Sequence, residues 1–181
     1  MKTTEYPIEI PLSKQKLILL LLSAIAFVAI GIWFVAKPES FKNGLLGNPT
    51  IVLSIGILSI VVFGLAAFVM AKKLADNAPG LIIDKTGITD NSTGVPAGHI
   101  PWSDIKEIKT SKVFSQKFLV IMVSKPEDYI NRQGSTAAKK GVEANYKISG
   151  SPVNIPSSTL KYNFDELEVL LKAEFAKNKG K

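Results

Sequence analysis

LILLLLSAIAFVAIGIWFVA, residues 17–36, runs for 20 positions without a charge, and IVLSIGILSIVVFGLAAFVMA, residues 51–71, repeats the pattern for 21. An α-helix rises about 1.5 Å per residue, so each run spans roughly the 30 Å hydrocarbon layer of a bilayer. Leu, Ile, Val, Phe and Ala cover every side of both helices, without the polar stripe of a helix lying on a soluble core. Two transmembrane helices are predicted, over 17–36 and 51–71.

Between them, Pro38, Gly44, Gly47 and the pair Asn48-Pro49 end helices and turn the chain, which makes the helices an antiparallel hairpin. Asn48 is placed to cap the second helix, with Pro49 in its first turn, where a missing N–H is harmless. Trp33, Phe34 and Phe41 suit one membrane interface. Gly56, Ser59 and Gly64 are small enough to let the helices approach, although their spacing is not a clean GxxxG. A cleaved signal peptide competes for the first run, because Lys2, Lys14 and Lys16 resemble its positive leader. The run exceeds the usual apolar length of about 7–15 residues, and Phe34-Val35-Ala36 makes a poor cleavage site. Lys14, Lys16, Lys72 and Lys73 flank one side of the hairpin against Lys37 and Lys42 on the other, so the positive-inside rule places both termini in the cytoplasm. Neither helix carries an ionisable group that would mark a solute pathway.

Composition changes near Lys72. Residues 72–181 hold 17 Lys or Arg against 12 Asp or Glu, within a chain of net charge +7. The division predicted is residues 1–75 for the N-terminal segment and hairpin and 76–181 for a basic cytoplasmic domain, long enough for one small core. Cysteine is absent, so disulfides and thiolate metal sites are excluded. The lysines are scattered among acids with no nucleic-acid motif, which argues against nucleic acid as a partner.

In the second half, Leu81-Ile82-Ile83 and Ile88-Thr89 read as strands joined by the turn Asp84-Lys85-Thr86-Gly87. Ile105 and Ile108 begin another strand, and Phe118-Leu119-Val120-Ile121-Met122-Val123 is the strongest. Ser124 and Glu127 have capping-box spacing before a short helix through Tyr129 and Ile130. Residues 131–141 read as an exposed loop, and Tyr146-Lys147-Ile148 and Val153-Asn154-Ile155 alternate as strands do. Asn163 then caps a final helix whose Phe164, Leu167, Leu170, Leu171 and Phe175 recur at helical spacing. Strands closed by one amphipathic helix give an α+β class with a mostly antiparallel sheet, and a pleckstrin-homology-like barrel meets that description.

Glu9-Ile10-Pro11-Leu12-Ser13-Lys14, Pro79-Gly80-Leu81-Ile82-Ile83-Asp84, Ile100-Pro101-Trp102-Ser103-Asp104-Ile105 and Gly150-Ser151-Pro152-Val153 together resemble a family of uncharacterised bacterial membrane proteins with two N-terminal helices and a pleckstrin-homology-like domain. The resemblance covers nearly the whole chain. It implies an architecture in the bacterial inner membrane, supplies no activity, and carries over no functional residue.

Chemistry-bearing residues are sparse. His99, the only histidine, has no Cys or second His to build a nucleophilic or zinc site and reads as a loop residue. Among the carboxylates Asp84, Asp90, Asp104 and Glu107, turn formation explains Asp84 and local capping explains Asp104. The glycines form no phosphate-binding loop. No enzyme, cofactor or metal is expected. Trp102 reads as a core anchor or, failing that, a ligand platform. Lys106, Lys109, Lys112 and Lys117, with Lys72 and Lys73 at the membrane edge, are the candidate contacts for a partner or for anionic lipid; the plainer reading is a solvated face. Lys172, Lys177, Lys179 and Lys181 mark the end of the chain. The expectation is a non-catalytic membrane-anchored binding or scaffold module that contacts a protein segment or anionic headgroups, or alternatively an accessory subunit of a larger membrane complex. Residues 6–12 alternate Ile8, Ile10 and Leu12 with Glu9 and Pro11, which suits either an edge strand docked on the soluble domain or an irregular leader.

Overall fold

A computed structural model describes residues 5–41, 47–113 and 116–179; Lys2, Lys42, Gly44 and Lys181 of the sequence reading lie outside them. Each apolar run becomes one helix, α1 (Lys14–Ala36) and α2 (Pro49–Ala75). Both are long and apolar enough to cross a bilayer, which supports an integral membrane protein. Asn48 caps α2 through Oδ1, which accepts from the Thr50 N–H at 2.9 Å, with Pro49 in the first turn. At the other end Lys14 reaches across from α1 and donates to the carbonyls of Leu74 and Asp76, which the helix leaves without internal partners.

The helices meet where side chains vanish. A Cβ on Gly31 would lie 2.9 Å from the Gly56 carbonyl oxygen, and one on Gly56 would lie 2.8 Å from that of Gly31. With no hydrophobic force between helices in lipid, such backbone contact and the Ser59 hydroxyl donating to the Phe27 carbonyl at 3.0 Å are what hold the pair. Phe27 and Phe63 stack at 4.3 Å beside it. Gly56 and Ser59 thus act as expected, whereas Gly64 has nothing within 4 Å of its Cβ position. Trp33 and Phe34 gather around Phe41, at 5.4 and 4.9 Å between ring centroids.

The chain divides into two compact units: Lys14–Asn77, and a second that joins the segment up to Ser13 to everything from Ala78 onward. The second is α+β, with two antiparallel sheets and a C-terminal helix, and the described strands do not close into a barrel. Its first sheet runs β1 (Ile8–Ile10), β2 (Leu81–Ile83), β3 (Gly87–Asp90), β4 (Gly98–Pro101); its second runs β5 (Ile105–Val113), β6 (Gln116–Val123), β7 (Val153–Pro156). Residues 6–12 are therefore a docked strand and not a loose leader. Ile8 pairs with Ile83 and Ile10 with Leu81, and Gly80 donates to the Ile10 carbonyl at 2.9 Å. Beyond β1, Leu12 bridges Leu160, and Ser13 donates to the Thr159 carbonyl at 2.8 Å.

Three segments differ from the sequence reading. Residues 146–148 are not a strand, and the expected loop ends at Ser135: α4 runs Thr136–Ser149. Ser135 caps its first turn and Gly150, at φ 79°, ends it in the left-handed region that glycine adopts without penalty. The short helix α3 (Pro126–Asn131) forms as expected, yet Lys125 occupies its cap position without a side-chain bond. Ser124 instead donates its N–H to the Asp104 carbonyl at 2.8 Å. His99 lies in β4 and not in a loop.

The last helix, α5 (Phe164–Asn178), is capped by Asn163, whose Oδ1 accepts from the N–H groups of Asp165 and Glu166 at 2.9 and 3.2 Å. Leu167 and Leu171 are buried, and the same stripe continues through Glu174 and Asn178, which are buried too. Tyr6 explains Glu174: its hydroxyl donates to Glu174 and accepts from Lys177 at 2.9 Å, while the Asn178 amide donates to the Glu174 carbonyl at 2.8 Å within the helix. Trp102 is buried in a 3-10 turn, Trp102–Asp104, between β4 and β5, and its indole N–H donates to the Asp84 carbonyl at 2.9 Å. It is a core anchor with one satisfied polar edge.

Candidate binding surface

The second sheet has two distinct faces because side chains alternate along each strand. Ile108 of β5, Ile121 of β6 and Val153 of β7 stand in one row, and Thr110, Leu119 and Ile155 in the next. This inner face is covered by α5. The opposite face carries the rows Lys109–Val120–Asn154 and Ser111–Phe118–Pro156.

That opposite face holds a groove of about 130 Å³ floored by Phe118, Val120 and Pro156, reached from β5 at Ser111 and walled by Ile148 and Ser149 of α4. Among the described residues its lining has no charged side chain. Ile148, on the rim, is 74% exposed and leaves its aliphatic side chain available at the mouth of the groove. Sequence reading missed the groove because it depends on α4 being a helix.

The candidate lysines do not form one patch within the unit that holds the two sheets. Lys112 and Lys117 are direct cross-strand partners on the α5 side, while Lys109 stands on the groove side. Lys117 donates to Asp165 at 2.7 Å and lies over the Phe164 ring, and Lys109 pairs with Glu107 at 3.0 Å. Lys106 follows Ile105 at an irregularity in the ladder; it and Lys112 have no ion pair among the described residues. Lys72 and Lys73 belong to the end of α2, where Lys73 pairs with Asp76 at 3.4 Å.

The remaining titratable groups serve the fold. Asp84 Oδ1 accepts from the Thr86 N–H and hydroxyl and from the Gly87 N–H at 2.7, 2.6 and 3.0 Å. Partial burial works against its charge, but these donors outweigh it and hold the carboxyl below the usual range. Asp90 is buried and pins the β3–β4 connection by accepting from Ser92 and from the Ala97 N–H at 3.0 Å. Asp104 is not a local cap, as its position in the sequence implied. Its Oδ2 accepts the Tyr129 hydroxyl at 3.1 Å, tying the Trp102 turn to α3. Burial, and then this carboxylate, push the Tyr129 phenol up to about 12. Hydrogen bonds from Lys172 and Thr110 hold Glu168 low, and the hydrogen bond with Tyr6 raises Lys177.

Arg132 was not singled out by sequence. It stacks on the Tyr129 ring at 4.0 Å and donates to the carbonyls of Ala97 and His99 at 3.0 and 2.9 Å, covering the outer edge of β4. At the other end of that sheet Lys161 donates to the Pro11 carbonyl at 2.9 Å, beside β1. Both edges of the first sheet are thus engaged. No strand among the described residues pairs with the outer side of β5, nine residues long. No family model, curated protein or solved structure matches the chain.

Proposed function

We propose that this chain is a non-catalytic, membrane-anchored binding module whose cytoplasmic, pleckstrin-homology-like domain engages a protein segment, with anionic headgroups as the competing ligand class. The observation that carries it is connectivity. The apolar hairpin is spliced into the chain between β1 and β2, which are hydrogen-bonded neighbours in one sheet. The unit that holds both sheets is therefore tied into the hairpin through two adjacent strands, and among the described residues it presents an unpaired strand edge beside a groove without a charged side chain. Four antiparallel strands, then three, then a C-terminal helix support the pleckstrin-homology-like reading. Direct pairing of Ile10 with Leu81 supports both flanks of the hairpin leaving the membrane on one side, and the excess of Lys14, Lys16, Lys72 and Lys73 supports that side being the cytoplasm of a bacterial inner membrane.

Photo-cross-linkers placed singly at Lys106, Ile148, Tyr162 and Val169 in native membranes test this reading. Capture of one protein partner, or of anionic lipid, from some of these positions is expected. Silence at all of them, with the protein folded, refutes it.

The hairpin favours a second reading. Phe27, Gly31, Phe34, Leu58 and Phe63 border an apolar groove of about 460 Å³ between the two helices, a shape that a further transmembrane helix fills by packing. An accessory subunit would migrate as a large, stable complex in mild detergent, and the module as a small particle.

A further inference from the structure

Resting on the binding-module reading, we infer that the outer edge of β5 accepts one extended protein segment as an added strand, with an acidic residue beside Lys112 and, next to it, an apolar residue beside Ser111 that enters the α4 groove. Alternate residues of an edge strand turn N–H and C=O away from the sheet, and a second backbone satisfies them. Residues of an added strand stand level with their β5 neighbours and on the same face.

The two faces then dictate the chemistry. Ser111, Phe118 and Pro156 form one continuous cross-strand row on the groove side, so the residue added outside Ser111 extends an apolar floor. The uncharged lining and the exposed Ile148 match an aliphatic or aromatic side chain. On the other face Lys112 stands directly opposite Lys117, an unfavourable like-charge pair. Asp165 compensates Lys117, and Lys112 has no such partner among the described residues. An acidic residue beside Lys112 supplies the missing countercharge. Successive residues point to opposite faces, so the acidic and apolar residues must be adjacent in the partner.

A second copy of β5 is a poor occupant, since Lys106, Lys109 and Lys112 stand against one Glu107. A lipid headgroup supplies neither the backbone groups that an edge requires nor an apolar side chain.

The test uses the full chain in phosphatidylcholine nanodiscs, challenged with a random twelve-residue peptide library. Peptides that contain adjacent acidic and apolar residues should be enriched over empty nanodiscs. For the best of them, Lys112→Glu should weaken binding roughly fivefold or more, and exchanging the peptide's acid for Lys should restore it. Ser111→Trp and Ile148→Glu, both surface changes, should each weaken binding about tenfold by filling or charging the groove. Absence of enrichment overturns the inference, as does equal binding by the parent and all three variants. Disulfide-linked dimers of Ser111→Cys, in a chain without native cysteine, would assign the edge to a second copy and overturn it. So would binding to anionic but not neutral vesicles that Lys112→Glu abolishes. If peptides fail while cross-links form elsewhere on the domain, the inference falls and the binding-module reading stands.

Discussion

Ile10 connects the two separated parts of the unit that holds both sheets, and its truncation measures that connection. The side chain is 1% exposed, and its backbone pairs with Leu81 and accepts from Gly80. Ile10→Ala removes three buried carbons while leaving the backbone ladder intact. Large-to-small changes of this kind cost about 2–5 kcal/mol, combining lost transfer energy with the cavity left behind. Glu9, one residue away on the same strand, is exposed, so Glu9→Ala should stay within about 0.5 kcal/mol of the parent. The assay is thermal unfolding of the full chain in detergent, followed by fluorescence of Trp102 in a Trp33→Phe background. For a domain of this size a loss of about 3 kcal/mol lowers Tm by roughly 10–20 °C. Hydrogen exchange supplies the local measure. The amides of β1 and β2 should exchange faster in Ile10→Ala than in the parent, while those of β6 change least. Equal, small effects of Ile10→Ala and Glu9→Ala would mean that β1 contributes no core and that residues 78–181 stand alone.

Gly31→Leu should force α1 and α2 apart, because the Gly56 carbonyl lies 2.9 Å from the new Cβ; faster protease cleavage near Asn48 in nanodiscs checks it. Trp102→Ala should cost about 3–5 kcal/mol in chemical denaturation, while Trp102→Phe, which keeps one aromatic ring but loses the fused pyrrole ring and its bond to the Asp84 carbonyl, costs less. The Tyr129 phenol, raised from 10.0 to about 12 by burial and then by Asp104, binds its proton more tightly in the folded state. Its contribution is complete below pH 10, is lost as pH rises through about 12, and is on the order of 2 kcal/mol; Tyr129→Phe should flatten that alkaline decline.

Much of the framework was legible because it rests on local signals. Twenty uncharged residues, Asn48-Pro49, the Asp84 turn and the Asn163 cap each act within a few residues, and each forms as its chemistry dictates. Alternation at Ile8, Ile10 and Leu12 also carried a true strand signal, although nothing local could say that its partner lay beyond the hairpin. The buried Glu174 carries the matching signal from the other side, since a carboxylate on the apolar stripe of α5 requires something polar to cover it, and Tyr6 does.

The misread segment shows where local pattern fails. In Tyr146-Lys147-Ile148 the period of two matches a half-buried strand, but three residues are too few to separate it from a period of 3.6. The decisive residues lie at the segment's ends. Ser135 offers a cap to Ala138, the good helix formers Ala137 to Lys140, Glu143 and Ala144 outweigh Gly141 and Val142 between them, and Gly150 stops the helix with a positive φ. The candidate groove inherits this dependence. With residues 146–148 as a strand, Ile148 would be another alternating apolar position and the sheet face over Phe118 and Pro156 would have no wall. As a helix, α4 walls that face through Asn145, Ile148 and Ser149 and leaves Ile148 at the rim, 74% exposed. Ser124 and Asp104 make the same point at smaller scale. Each has the composition of a local cap, and each is claimed by a partner distant in sequence, because Tyr129 and the Trp102 turn are buried and their polar atoms need bonds more than the exposed start of α3 does.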